Sequence, residues 1–245
     1  MILMKFKTLT FCSIVTGALL FAGCNSHSGS SSGNVELETT VDSVSYSMGY
    51  QNGKFLKKRS MTDINPELLK AGLEASLDEQ KPQLSEQQMQ RVVQKYSMQA
   101  RQKAQQKKMA DAKDNQKKGD DFLAQNKSKP GVITTDSGLQ YKVLQEGDGV
   151  SPDSTDTVRV QYKGMLLDGT VFDSSYKRNK PATFPLNRVI PGWTEGVQLM
   201  KEGAKYKFWI PGKLAYGQNP PPNSPIGPNQ TLVFEVELQK VNPQD

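Results

Sequence analysis

Few side chains in this sequence could act as nucleophiles, bases or metal ligands of the usual kinds. The only histidine is His27, and the only cysteines are Cys12 and Cys24. Cys12 falls in a segment expected to be removed, which leaves Cys24 without a partner for an internal disulfide. Serine–histidine, cysteine–histidine and histidine–metal sites are therefore excluded, and no cofactor is expected.

Aromatic and branched apolar residues of the C-terminal half recur at every second position. This period of two predicts strands that bury one face. The alternating apolar positions are Val158, Val160 and Tyr162, then Tyr206, Phe208 and Ile210, and finally Leu232, Phe234, Val236 and Leu238. Asp168 and Gly169 predict a hairpin turn between two strands. We expect an antiparallel sheet.

One short helix interrupts these strands. Pro191 suits its start, Gly203 suits its end, and Trp193, Val197 and Met200 share one side. The prediction is an α+β domain in which a curved antiparallel β-sheet wraps one short α-helix. Its concave, aromatic face is the kind of apolar cleft that binds a ligand.

The N-terminal half is predicted to be helical. Residues 41–55 have an approximate helical face interrupted by Gly49 and Gly53. A second helix begins at Asn65 and Pro66, and its leucines recur every four residues until Pro82 ends the segment. The apolar positions of this second helix are Leu69, Leu73 and Leu77.

A third helix is predicted to start at Ser85, which forms a capping-box pattern with Gln88. No proline or glycine occurs from there to Lys118, so about 34 residues could extend roughly 50 Å. Beyond Tyr96 there is no sustained apolar stripe, so this half is expected to be a stalk exposed on all sides that ends or loosens at Gly119.

The first two helices have apolar faces too small to form a stable core alone. Burial against a second copy of the chain would cover them, which predicts a homodimer through the N-terminal helices. The alternative is a monomer in which the helical hairpin folds back on its own stalk.

The N-terminus is typical of a targeting segment. Lys5 and Lys7 precede an apolar run, residues 9–20, that is too short to span a membrane comfortably. Residues 21–24, Phe-Ala-Gly-Cys, resemble the bacterial lipobox, although Phe21 stands where leucine is preferred. The resemblance implies that Cys24 is acylated, and a plain secretory signal or an uncleaved anchor is the alternative.

Asn25 follows the cysteine, where an aspartate would favour retention at the inner membrane. The resemblance thus implies a lipid anchor in the outer membrane of a Gram-negative bacterium. The Ser/Gly-rich stretch that follows is typical of a flexible tether. The expected segments are a signal peptide at 1–23, the tether at 24–38, a helical dimerisation module at 39–84, a connecting helix at 85–128 and an α+β domain at 132–242.

The charge balance does not favour nucleic acid as a partner. Removal of residues 1–23 would leave 29 basic and 25 acidic residues, a net charge of +4. A nucleic-acid surface would normally combine a dense basic patch with stacking aromatics, and the basic stretch after Tyr96 has no aromatics. We therefore expect no nucleic-acid partner.

Six segments of the C-terminal half together resemble the FKBP family of peptidyl-prolyl isomerases in order and spacing, over about 110 residues. The helical half is similar to the macrophage infectivity potentiator subgroup of bacterial FKBPs at residues 46–49, 64–66 and 127–131. The six FKBP segments are residues 160–164, 168–169, 172–175, 189–193, 214–217 and 231–236.

The resemblance assigns roles to individual residues. Trp193 is implied to form the floor of a substrate pocket, the Ile190 N–H to bind a ligand carbonyl, and Arg178 to hold the carboxylate of Asp173. The implied catalytic set is Tyr162, Phe172, Asp173, Val189, Ile190, Trp193, Tyr216 and Phe234. The implied substrate and macrolide contacts are Arg178, Ala182, Phe184 and Ile226.

Some of these residues have simpler explanations. Phe234, Val189 and Tyr162 could be ordinary core residues, and Asp173 could merely satisfy a turn. The sequence also departs from the small eukaryotic FKBPs at Ala182, where they carry a pocket-edge phenylalanine. Residues 220–222 are all prolines, and the sequence gives no reason for this run.

The resemblance implies an enzyme that accelerates rotation about Xaa-Pro bonds in folding polypeptides and that FKBP-directed macrolides inhibit. No metal or nucleotide is needed for that reaction, because no covalent bond is made. One alternative is a periplasmic holdase chaperone or binding module whose pocket only grips proline-containing segments. Another is a purely structural envelope lipoprotein.

Overall fold

The structure is a computed structural model in which residues 35–243 are described. The described residues divide into two compact units with the boundary between Tyr50 and Gln51. The predicted signal peptide, Cys24 and the first part of the predicted tether lie outside the described residues.

Between residue 35 and the start of the sheet the described chain forms three helices, as predicted. The Asn65 side chain caps the second helix by accepting from the N–H groups of Glu67 and Leu68. The capping box of the third helix is also confirmed, because Ser85 and Gln88 each accept from the other's backbone N–H. The helices are α1 (Thr40–Lys58), α2 (Pro66–Leu77) and α3 (Glu86–Asn126).

The C-terminal half forms a seven-stranded antiparallel sheet and one short helix. The sheet order is β1-β2-β6-β7-β3-β4. Strand β5 pairs with the first residues of β3, on the same edge where β4 pairs with its later residues. The elements are β1 (Ile133–Thr134), β2 (Gln140–Gln145), β3 (Thr157–Leu166), β4 (Val171–Ser174), β5 (Ala182–Pro185), α4 (Pro191–Gln198), β6 (Lys205–Ile210) and β7 (Leu232–Val241).

Alternating burial along the strands agrees with the period of two in the sequence. In β3 every second residue is buried, from Val158 to Leu166. Gly169 has φ +88° in the predicted turn that joins β3 to β4, a backbone conformation that favours glycine. The α+β architecture predicted from the sequence is confirmed.

Helix α4 packs closely on the concave face of this sheet. Its Trp193 and Val197 are buried in the same core as Phe208 of β6. An ideal Cβ at Gly196 would lie 2.7 Å from the Phe208 ring, so the absence of a side chain allows this approach. The helix thereby brings Trp193 to the centre of the face that the strands enclose.

The structure corrects the prediction that the second half of the stalk is exposed on all sides. Helix α3 does not end at Gly119 but continues to Asn126. Near its C-terminal end Gly119, Leu123 and Asn126 are buried, because this part of the helix lies against the outer face of the sheet. The buried residues of α3 are Ala100, Ala112, Gly119, Leu123 and Asn126.

Candidate functional site

The concave face of the sheet and helix α4 enclose a cavity of about 550 Å³. This volume lies in the range of small-molecule sites, and the lining is mainly aromatic and aliphatic. The lining residues are Tyr162, Phe172, Asp173, Phe184, Arg188, Val189, Ile190, Pro191, Trp193, Tyr216 and Phe234.

The indole of Trp193 forms the floor and is only 5% exposed. Three rings meet it edge-on: Tyr162 at a centroid distance of 5.2 Å, Phe234 at 5.3 Å and Phe184 at 5.9 Å. Edge-to-face contacts of this kind are favourable beyond the area they bury and fix the ring orientations. The floor is therefore rigid before any ligand binds.

Gly164 of β3 makes room for the aromatic wall beside Trp193. An ideal Cβ at this position would lie 2.7 Å from the ring of Phe172 and 2.8 Å from that of Phe234. These two rings meet edge-on at 5.5 Å. Any side chain at position 164 would displace one of them.

One side of the cavity carries a small polar network. The Tyr162 hydroxyl donates a short hydrogen bond to Oδ2 of Asp173, and Arg178 Nη1 donates to Oδ1 of the same carboxylate. Arg178 Nη2 also donates to the Tyr162 oxygen at 2.8 Å, and the Ser174 N–H donates to Asp173 Oδ1 at 2.8 Å. The negative charge of the carboxylate is thus paired with the positive charge of Arg178, and the group is held at the cavity wall.

These contacts determine the protonation of the site. Partial burial acts to raise the pKa of Asp173, but the hydrogen bonds from Tyr162 and Arg178 outweigh it and the pKa lies below its ordinary value. Burial, followed by the hydrogen bond to Asp173, raises the pKa of Tyr162 to about 12. Burial and the nearby charge of Asp173 also raise the pKa of Tyr216. At neutral pH the site holds an ionised carboxylate and two neutral phenols.

Two N–H donors at the cavity lack an acceptor among residues 35–243. The Ile190 N–H precedes helix α4 and makes no backbone or side-chain hydrogen bond, whereas the Ile190 carbonyl accepts from Trp193 and Thr194. The second donor is the Trp193 indole nitrogen, which is buried. An unpaired N–H in an apolar setting is costly, so the half-buried Ile190 N–H can gain energy from a ligand acceptor, whereas the indole nitrogen is enclosed by the protein.

The eight residues predicted as catalytic all line this cavity, as does Phe184. Arg178 lies beside the lining and contacts it through Asp173. Ala182 and Ile226 lie outside the lining: Ala182 is opposite Val160 in the β3–β5 pair and has only a methyl group, and Ile226 is buried in the main core.

Sequence reasoning missed two lining residues. The sequence predicts Pro191 only as the start of a helix. Its position inside residues 189–193, one of the six segments that resemble the FKBP family, is the signal that identifies it as a lining residue. Arg188 precedes that segment in a one-turn 3-10 helix, and no sequence pattern singles it out.

Two kinds of feature are missing from residues 35–243. No group of three or more histidine, cysteine, aspartate or glutamate side chains is arranged to hold a metal ion. None of the helices in this part of the chain is both long and apolar enough to cross a membrane.

Comparisons with known proteins agree with this geometry. Residues 149–239 match the family described as FKBP-type peptidyl-prolyl cis-trans isomerase, and residues 41–143 match the domain amino-terminal to it. The "Probable FKBP-type peptidyl-prolyl cis-trans isomerase FkpA" of Neisseria meningitidis is 46% identical over 83% of this chain and 75% of its own. "Outer membrane protein MIP" of Legionella longbeachae is 44% identical over 84% of this chain and 87% of its own.

A solved structure supports the same relationship. The crystal structure of FkpA from Escherichia coli is 37% identical in sequence and superposes with a TM-score of 0.64. The match covers 85% of this chain and 99% of that one, so it includes helices as well as the sheet.

Proposed function

Because this chain belongs to the family of FKBP-type peptidyl-prolyl cis-trans isomerases, we propose that it accelerates rotation about Xaa-Pro bonds in the cavity floored by Trp193. One observation carries this assignment of the site. A rigid aromatic floor lies next to a backbone N–H, that of Ile190, which has no acceptor of its own in the described chain.

The physical barrier explains why such a cavity suffices. Rotation about the peptide bond costs about 18–20 kcal/mol because amide resonance is lost at the twisted midpoint. An apolar site disfavours the charge-separated planar form, and shape complementarity to the twisted form adds binding that the planar form lacks. The reaction therefore needs no acid–base pair and no metal.

Individual residues have distinct proposed roles. Trp193 supports the proline ring from below, and the edge-on rings of Tyr162 and Phe234 confine it at the sides. The Ile190 N–H binds the carbonyl of the chain next to the proline. Asp173, held by Tyr162 and Arg178, supplies the polar edge of the cavity. The further contacts proposed from the sequence are Ala182, Phe184 and Ile226.

The substrates are polypeptides in which proline bonds are isomerising as the chain folds. An FKBP-directed macrolide is expected to fill the same cavity and block the reaction. A test is the rate of cis-to-trans exchange in a short Xaa-Pro peptide with and without rapamycin. Competition between peptide and macrolide is expected, and independent binding of the two would contradict a shared cavity.

The holdase alternative differs in what depends on Trp193. In a folded Trp193→Ala variant, loss of isomerisation with intact suppression of aggregation would assign holding to other surfaces of the chain. Loss of both isomerisation and aggregation suppression would show that the two activities share the cavity. The family membership favours the isomerase as the main activity.

Homodimerisation through the N-terminal helices is proposed from exposed apolar side chains. No residue of α1 or α2 is buried, and Leu68, Leu73 and Leu77 are 70%, 60% and 74% exposed. Exposed apolar side chains grouped on one helix mark an interaction surface, and a second copy would cover it. Deletion of residues 24–84 is expected to leave a folded, monomeric isomerase, and a dimeric product would contradict the assignment.

A lipid anchor at Cys24 and delivery to the outer membrane are proposed from the lipobox-like residues 21–24 and from Asn25. One relative bears the name "Outer membrane protein MIP", which is consistent with that location. Labelled fatty acid fed to a Gram-negative host is expected to be incorporated into the protein and not into Cys24→Ser. Labelling of both, or of neither, would contradict the anchor.

A further inference from the structure

The C-terminal part of helix α3 is firmly attached to the outer face of the sheet. Leu123 packs in a second apolar cluster with Trp209 of β6 and Val233 of β7. Beneath it, the buried Gln140 side chain donates to the Leu123 carbonyl at 2.8 Å and accepts from Asn126 Nδ2 at 2.9 Å. Buried polar pairs of this kind fix orientation as well as position.

The same strands carry cavity residues on their opposite face. Because successive strand residues point to opposite sides, Val233 faces α3 while its neighbour Phe234 lines the cavity. In β6, Trp209 likewise belongs to the apolar cluster with Leu123, while its neighbour Phe208 belongs to the main core. Helix α3 therefore lies directly behind one wall of the cavity.

Further toward its N-terminus, α3 reaches the irregular segment of residues 216–230, called here the 216–230 loop. The Asn115 side-chain Nδ2 donates to the carbonyl of Pro228 at 3.0 Å, and Lys108 Nζ donates to Oδ1 of Asn219 at 2.9 Å. At the end of the loop Gly119 lies against Thr231, whose Oγ1 would be 2.2 Å from an ideal Cβ.

The Asn115 contact fits closely on the side of the loop too. An ideal Cβ at Gly227 would lie 2.7 Å from Asn115 Nδ2, so only glycine leaves room for the asparagine amide. The Gly227 N–H donates to Oε1 of Gln230 at 2.6 Å, and the Asn229 N–H closes the loop onto the Gly217 carbonyl at 2.7 Å. A displacement of Pro228 would therefore also displace the neighbouring residues of this hydrogen-bonded loop.

This loop has one end in the cavity. Tyr216 lines the cavity directly, and Ile226, two residues before Pro228, is buried in the core that supports it. A change in the position of the loop would alter the width of the cavity beside Tyr216 and leave the Trp193 floor unchanged.

We infer that Asn115 of helix α3 is a positioning residue for the 216–230 loop and thereby sets which residues flanking proline the cavity accepts. The inference rests on the proposed isomerase activity of this cavity and extends it, because it makes the connecting helix part of the specificity machinery. The chain on either side of the proline is the part of a substrate that reaches the loop.

The test uses Asn115→Ala and Asn115→Asp in the full chain. The aspartate is nearly isosteric but has no N–H to donate to Pro228 and would set a negative charge against that carbonyl. Gln116→Ala is the matched control, because Gln116 is the next residue, also carries an amide, and is exposed. Each variant is assayed for kcat/KM on Xaa-Pro tetrapeptides that differ only in the residue before proline, and for the dissociation constant of rapamycin.

We expect the kcat/KM ratios between the peptides to change about threefold to tenfold in both Asn115 variants, as the loss of one hydrogen bond implies, and the rapamycin dissociation constant to rise by a similar factor. Gln116→Ala should leave both unchanged. The inference is overturned if all three variants have the same kcat/KM ratios between peptides and the same rapamycin dissociation constant as the unaltered chain. It is also overturned if the Asn115 variants lose kcat/KM by the same factor on every peptide and melt at a lower temperature. If the unaltered chain binds rapamycin but isomerises nothing, the proposed function fails, while the macrolide arm still tests the role of Asn115.

Discussion

The hydroxyl group of Tyr162 donates a hydrogen bond to Asp173 while its ring stands edge-on to the Trp193 floor. One side chain thus connects the polar edge of the cavity to its aromatic base. Arg178 completes the arrangement by donating to both the carboxylate and the phenol oxygen. The hydrogen bonds therefore hold the Asp173 carboxylate in place and pair its charge with that of Arg178.

The rate is expected to be independent of pH around neutrality. The pKa of Asp173 is depressed in the folded protein, so its contribution to stability is complete above the unfolded value of 3.8 and is lost as pH falls through the folded pKa. The pKa of Tyr162 is about 12. We expect kcat/KM to be flat from about pH 5 to about pH 10. Stopped-flow rates across this range test it, and a limb near pH 7 would contradict the absence of acid–base chemistry.

Removing the Tyr162 hydroxyl separates the effect of its hydrogen bonds from the packing of its ring. Tyr162→Phe keeps the ring but deletes a donor to Asp173 and an acceptor for Arg178, so we expect kcat/KM to fall about threefold to tenfold. Because one hydrogen bond that lowers the pKa of Asp173 is lost, the acidic limb should move to higher pH. Tyr141→Phe, whose ring stacks on Tyr206 outside the cavity lining, is the control. An unchanged acidic limb in Tyr162→Phe would count against the proposed network.

The close contact between Gly119 and Thr231 predicts a stability effect. Gly119→Ala would favour the helix by up to about 1 kcal/mol, but its Cβ would lie 2.2 Å from a threonine oxygen whose residue is only 2% exposed. We expect a net loss of about 1–3 kcal/mol in urea unfolding. Asp120→Ala, exposed on the same helix, should cost little.

A double variant checks the cause. Adding Thr231→Ala removes the clashing oxygen and should recover part of the loss caused by Gly119→Ala. If the changes in unfolding free energy of the two single variants simply add in the double variant, the contact with Thr231 is not the cause of the loss in Gly119→Ala.

The proposed dimer depends on the leucines of α2. Leu69→Lys combined with Leu73→Lys places two charges on a surface that is 54% and 60% exposed in the single chain. We expect light scattering to report half the mass of the unaltered protein, with kcat/KM on a short peptide unchanged. Lys70→Ala combined with Glu74→Ala, an exposed ion pair on the same helix, should remain dimeric. A double leucine variant that stays dimeric would exclude α2 from the interface.

Much of the fold could be predicted because local signals were consistent with the tertiary structure. The caps at Asn65 and Ser85 are formed by the residues expected, and the alternation in β3 agrees with its buried face. These features depend on neighbours a few residues apart, which a sequence displays directly. The aromatic lining comes from β3, β4, β5, α4, β7 and the segment that carries Tyr216. Residues so far apart in the chain show no local pattern, so the lining could be predicted only from the resemblance to a family.

The docking of α3 could not be predicted in the same way. Its buried residues include Ala112, Gly119 and Asn126, one in every seven, and its large apolar contacts are confined to Leu123 and the half-buried Phe122 near the end of the helix. Such a stripe has little hydrophobic signal, and Asn115 and Asn126 act through polar bonds to residues far along the chain. Long-range polar contacts leave no periodic pattern in a sequence.

Prolyl cis-to-trans exchange in a short Xaa-Pro peptide, measured with the chain from residue 25 onward and with rapamycin as the competitor, decides whether the cavity above Trp193 is a catalytic site. We expect acceleration that stoichiometric rapamycin abolishes, because both ligands need this cavity. A protein that is folded by circular dichroism yet leaves the exchange rate unchanged would contradict it.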